Sequence, residues 1–241
     1  MNALTDHISA VRLSVQKLGL GKFWIYIIPS VIVFLFYYWF ISLFSSYSEQ
    51  SWFAEVPWIG GYLQQGTAAI ISFSSYLFFL FYKFLMLTAL SPVNCLLSEK
   101  VDNEITGAKF AGGITRIITD LVRALFIVLL ALLLNLLVMA IWWILARIFA
   151  FHALDQLVYW LIGSFFIGFA FYDYSLERYG VGIFDSWGFG FRNISYMLVT
   201  GCLFNLIYMI PILGIIFAPF IVTIVSTIVY LKSKNKYTHS N

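Results

Sequence analysis

Three stretches of the chain, Phe23–Phe44, Thr67–Leu90 and Ala124–Ala146, stay apolar for so long that lipid is the solvent they suit. Each reaches or exceeds the about 20 residues an α-helix needs to cross a ~30 Å hydrocarbon layer. A strand barrel would alternate apolar and polar residues with period two; no such alternation occurs, and the stretches are predicted to be helical. The chain as a whole agrees, with 62% of its 241 residues hydrophobic and 10% charged, against about 25% charged in an ordinary soluble domain. The first run is too long, and its flank too extended, for a cleaved signal peptide, and it is expected to remain as an anchor.

The net charge is only +3, so its placement says more than its size. Arg12, Lys17 and Lys22 precede the first run, the loop Ser45–Gly66 carries no Lys or Arg, and Lys100, Lys109, Arg116 and Arg123 follow the second run. Positive charge marks the cytoplasmic side, which puts both ends of the chain inside and the Ser45–Gly66 loop outside. The tail, with Lys232, Lys234 and Lys236, belongs inside as well. A basic stripe beside a membrane is topological, and no nucleic-acid partner is expected. Residues 1–231 read as a single membrane domain, followed by a short basic tail at 232–241.

Leu4, Ile8, Val11, Val15 and Leu18 recur every three or four residues, the pattern of an N-terminal amphipathic helix. Its stripe has two open readings: lying on the inner leaflet, or packing against the protein's own helices. Pro29 predicts a kink in the first spanning helix. Lys83 stands among Phe, Leu and Tyr, so its ammonium either snorkels to the cytoplasmic edge or faces a wet interior. Ala124–Ala146 and Leu157–Tyr172 form a hairpin with Arg147, His152, Asp155 and Gln156 at its tip. Tyr196–Ile210 gives a helix of about 22 Å, too short to cross, and leads into Pro211-Ile212-Leu213-Gly214, a corner with no polar side chain. A corner this apolar predicts a re-entrant second hairpin whose tip, Pro211 to Gly214, is buried in protein or lines a cavity. Ile212–Leu231 is long enough to span although Pro219 interrupts it, so a plain six-span bundle also stays open.

The residue inventory argues against catalysis. His7, His152 and His239 meet no metal-ligand spacing, and Cys95 and Cys202 are far apart in apolar surroundings, read as packing residues. No Gly-x-Ser-x-Gly, His-Glu-x-x-His or phosphate-binding Gly-x-x-x-x-Gly-Lys motif occurs, so neither cofactor, metal nor ATP is expected. Asp120, Asp155, Asp173 and Glu177 sit at the ends of apolar runs, and a mid-membrane carboxylate relay is missing, which leans toward a passive route. Asn135, central in the third run, is read as an interhelical hydrogen bond or a pore contact.

Between the second and third runs lies a polar cassette, residues 91–107. Pro92, Asn94, Leu97, Glu99, Thr106 and Gly107 stand there in the order and spacing of the CysZ-type sulfate permease family, whose segment runs Pro-Phe-Asn, small, Leu-Leu-Ala-Glu and ends in Thr-Gly. Asp173-Tyr174 resembles the family's Asp-Tyr-Pro, with Ser175 in place of the proline. Met209-Ile210-Pro211 through Pro219 to Ser226-Thr227 is similar to its closing motifs, with Gly214 where Asn is common. The resemblance covers essentially the whole chain. It implies an all-α integral membrane protein with two long transmembrane helices and two partly penetrating helical hairpins, assembled as a homo-oligomer in the bacterial inner membrane and passing sulfate or a related oxyanion toward cysteine biosynthesis. The family often has a proline-glycine tip in the first hairpin; Trp142–Asp155 has neither residue, so that hairpin is expected to be longer or straighter here.

The same resemblance assigns anion binding to a Gly-Leu-Arg type turn before the first spanning helix, where this chain has Gly19, Leu20, Gly21 and Lys22. Free N–H groups at a helix start favour an anion, but Gly21 replaces the arginine and Lys22 offers a point charge without a fork. A hinge plus a topogenic lysine would look the same. Asn94, Glu99, Arg116 and Arg123 are candidates for an anion path or a structural network. Arg116 and Arg123, seven apart on one face, would guide anions or anchor headgroups. A non-transporting, membrane-shaping protein is the alternative reading.

Overall fold

The computed structural model describes residues 2–17, 23–48, 83, 86–110 and 114–238, and these are helical throughout apart from turns and short connections. In order they form α1 (Ala3–Lys17), a 3-10 turn at Trp24–Ile27 leading into α2 (Ile28–Ser48), α3 (Ser91–Thr106), α4 (Ile114–Ile148), α5 (Asp155–Arg178), α6 (Ile183–Arg192), α7 (Ile194–Tyr208) and α8 (Leu213–Thr238). The second apolar run and the Gly19–Lys22 turn lie largely or wholly outside the described residues.

Three described helical stretches are long and apolar enough to cross a membrane: Ile118–Ile148, His152–Arg178 and Leu213–Lys234. The first hairpin is accordingly long, α4 having 35 residues and α5 24. Its tip is held by Asp155, which accepts from Trp142 Nε1 at 2.9 Å and Arg147 Nη1 at 2.7 Å. This polar clasp stands where a proline-glycine turn would otherwise shorten the arms. α4 turns most of its length outward, whereas α8 is largely buried and touches α1, α2, α3, α5 and α7.

α5 and α7 make the closest crossing. A Cβ added to Gly168 would collide with the Met197 carbonyl oxygen, and one added to Gly201 with that of Ser164. Small residues let the backbones meet, the means by which helices associate when lipid removes the hydrophobic drive. Phe204 and Phe171, both fully buried, fill the flank of the same interface.

The cassette 91–107 is a helix rather than a polar loop. Pro92 starts α3 in its first turn, where its missing N–H costs nothing. Gly107, at φ 74°, closes it by donating its N–H to the Asn103 carbonyl at 2.9 Å. Its polar residues point inward, with Ser91, Asn94, Ser98 and Asp102 buried, while Lys100 and Glu104 pair on the outer face.

α7 is short, with 15 residues, but Met209, Ile210, Ile212 and Leu213 at the corner are exposed on the chain and not packed inside it. The backbone explains how a greasy corner tolerates this. Leu213 N donates to the Pro211 carbonyl at 2.6 Å and Gly214 N to that of Ile210 at 2.8 Å, so the turn supplies its own partners. Gly214 is buried where α8 meets Ile207 and Tyr208 too closely for a Cβ. Pro219 does not end α8, and the helix runs to Thr238, so the basic tail expected from Lys232 begins inside it. Lys232 Nζ donates to Ser9 Oγ at 2.7 Å, and Lys234 lies 3.2 Å from the Tyr179 ring centroid.

Candidate functional site

The polar residues that an apolar chain tolerates are concentrated here in four buried places, each joining different helices. The first is the inner face of α3. Ser91, Asn94, Ser98 and Asp102 follow helical spacing, so they form one stripe, and they face hydroxyls of α5 and α8. Ser98 Oγ lies 2.7 Å from Thr227 Oγ1 and accepts from Arg178 Nη1 at 2.6 Å. Asp102 Oδ2 lies 3.0 Å from Arg178 Nη2 and accepts from the Tyr179 hydroxyl at 2.8 Å, while its Oδ1 accepts from Thr106 at 2.7 Å. Ser91 Oγ, Asn94 Nδ2 and Arg178 Nε on this seam have no hydrogen-bond partner among the described residues.

The second place is Arg123. Its guanidinium donates to Asp173 Oδ1 at 2.9 Å, the Val181 carbonyl at 2.7 Å and Ser186 Oγ at 2.9 Å, tying α4 to α5 and α6. Glu177 Oε1 lies 3.8 Å from its Nε. Arg123 is thus engaged with groups inside the protein. The side chain of Arg116 lies outside the described residues. Cys95 Sγ donates to Glu177 Oε2 at 3.9 Å. Burial, then the Glu177 charge, pushes this thiol up, which keeps it a protonated packing residue.

Lys83 anchors the third place. Its Nζ turns toward α7, donating to Asn205 Oδ1 at 3.1 Å and lying 4.9 Å from the Tyr208 ring centroid. Asn205 Nδ2 in turn donates to Ser164 Oγ at 2.9 Å, and Ser164 to the Trp160 carbonyl at 2.7 Å. A polar chain therefore runs from the end of the second apolar run through α7 into α5. Asn135 takes no part in it; fully buried on α4, it donates to Met139 Sδ at 3.8 Å on its own helix.

The fourth place holds α1. Tyr196 donates to Asp6 Oδ2 at 2.6 Å. His7 places Nδ1 2.7 Å from the Ala3 carbonyl and Nε2 2.7 Å from Thr200 Oγ1. A carbonyl only accepts, so Nδ1 carries the proton and Nε2 accepts from the hydroxyl. Burial holds the imidazole below its ordinary 6.5, outweighing the Ala3 carbonyl and the Asp6 charge.

Of the candidates named from sequence, Asn94 is buried on the α3 seam, Glu99 is half-buried on the same helix, Arg123 is locked to Asp173, and Pro211 stands on the exposed corner with Gly214 packed beneath it. Asp102, Arg178, Asp6 and His7 were missed. Ser91, Asn94, Ser98 and Asp102 carried the signal, since a polar stripe at helical spacing predicts a helix with an inward polar face.

A helical chain with three described helices of membrane-crossing length and apolarity is an integral membrane protein. The model of the family described as Sulfate transporter CysZ/Etoposide-induced protein 2.4 matches residues 8–219, and the chain belongs to that family. No curated protein matches it.

Proposed function

We propose that the chain is an oxyanion permease of the bacterial inner membrane, passing sulfate foremost, without ATP hydrolysis and as a homo-oligomer, to supply cysteine biosynthesis. The observation that carries this reading is the inward Lys83 within an apolar run, joined to the neutral groups of Asn205 and Ser164. A cation set among amides and hydroxyls attracts a dehydrated anion without binding it as irreversibly as a cage of guanidinium groups would. Membership of a family described as a sulfate transporter supports it. In this reading the Gly19–Lys22 turn receives the anion at the membrane edge, and the buried Asn94 amide offers a further donor on the α3 seam.

The test is labelled-sulfate uptake into proteoliposomes holding the full chain, with Lys83→Met and Lys22→Ala compared. Uptake that exceeds empty vesicles and falls with Lys83→Met supports the proposal. Uptake no better than empty vesicles defeats it. The outward apolar stripe of α1 favours one second reading, a membrane-shaping protein, under which the chain tubulates vesicles while moving no anion.

A further inference from the structure

α1 turns much of its apolar stripe outward. An amphipathic helix on a globular core turns its apolar stripe inward, yet the residues buried here are Ala3, Asp6, His7, Ala10 and Ser14. Leu4, Ile8 and Val15, which share the opposite face, are 56%, 61% and 65% exposed. The helix is attached to the protein by Ala3, Ala10, Val11 and Leu13 in the apolar core and by hydrogen bonds: Tyr196 and Thr200 of α7 donate to Asp6 and His7, and Lys232 of α8 donates to Ser9. Its outer face is left apolar.

Charge identifies what covers that face. The one carboxylate of α1, Asp6, is buried under the Tyr196 hydroxyl, so it does not contribute to the outer surface. Arg12 is exposed beside Ile8 and Val15 and gives that surface a positive sign. The 3-10 turn and first turns of α2, which also packs on α8, expose Trp24, Ile25, Ile28 and Ile32. A cationic helix with an apolar outer stripe, mounted beside a helix that enters the bilayer, matches the headgroup region of an anionic leaflet.

We propose that α1 is a lipid-binding element, its Leu4, Ile8 and Val15 side chains seated at the acyl boundary of the cytoplasmic leaflet and Arg12 on anionic headgroups. The inner polar face transmits that seating to α7 and α8. The surface is independent of what the protein transports.

Nitroxide labels at Ile8→Cys, Val15→Cys and Ser14→Cys, with Cys95 and Cys202 replaced by alanine, test this in the full chain reconstituted in phosphatidylcholine vesicles with or without phosphatidylglycerol. In anionic vesicles, labels at positions 8 and 15 should relax with dissolved oxygen and be shielded severalfold from a water-soluble nickel chelate. The Ser14→Cys label should be shielded from both. Nickel access at 8 and 15 would show a water-facing stripe and overturn the proposal. Shielding from both agents there would show a protein partner or second copy and overturn it equally. Protection that is the same with and without phosphatidylglycerol, and unchanged by Arg12→Gln, would overturn the assignment of anionic headgroups. Should Ser14→Cys prevent folding, the pair at 8 and 15 decides alone.

Discussion

Arg178 and Asp102 face each other at 3.0 Å with side chains 1% and 0% exposed, one from α5 and the other from α3. Such a pair holds together two helices that lie apart in sequence, and it is far more costly to halve than to remove. Arg178→Met alone, or Asp102→Leu alone, is expected to destabilise the fold by about 3–5 kcal/mol, because each leaves a buried charge uncompensated. The double variant should recover most of that loss. Denaturant titration of the detergent-solubilised protein measures the cycle, and strictly additive losses would contradict the pairing.

Acidification should loosen α1. His7 is held neutral, with its pKa below the ordinary 6.5 because of burial. The unfolded or undocked state therefore binds the extra proton first, and stability rises with pH in that window. The His7 contribution is complete above the ordinary value and fades as pH falls below it toward the depressed one. Asp6, Tyr196 and Lys232 are ionisable groups that also bond across this contact. Amide protection across residues 3–17, corrected for the intrinsic pH dependence of exchange, should fall between pH 7.5 and 5, and His7→Gln should flatten that response.

The α5–α7 crossing admits no added carbon. Gly168→Ala and Gly201→Ala should each cost about 1–3 kcal/mol or more, since backbone oxygens of Met197 and Ser164 stand in the way. Gly163→Ala on the same helix meets nothing within 4 Å and should be neutral or gain up to about 1 kcal/mol. Melting temperatures of the three variants in one detergent would test the contrast.

Gly107 ends α3 at φ 74° with open space where a Cβ would go. Gly107→Ala should lose about 1–2 kcal/mol through the left-handed backbone alone, and Gly107→Asn less, since Asn tolerates that region. Equal stability of all three proteins would remove the cap from the account of α3.

Helicity, the long first hairpin and the short α7 were legible in residue order, because run length and the residues at the tip fix them directly. The inward α3 was not. Its Asn, Ser and Asp read as a solvated loop until Arg178, Thr227 and Tyr179, distant in sequence, are seen to meet them. For the same reason Arg123 was left between an anion path, a headgroup anchor and a structural network: nothing local to it reveals Asp173, fifty residues on. Which face of α1 is inner was undecidable from periodicity, which gives a stripe but not its direction. Of the site candidates, the Gly19–Lys22 turn lies outside the described residues, while Asn94 lies buried on α3.

The corner from Met209 to Gly214 bears only apolar side chains and closes hydrogen bonds among its own amides and carbonyls. A bend made this way can pass into hydrocarbon from the side of synthesis without any hydrated segment being hauled through the bilayer. The α7–α8 corner therefore adds little polar surface to desolvate wherever it meets lipid.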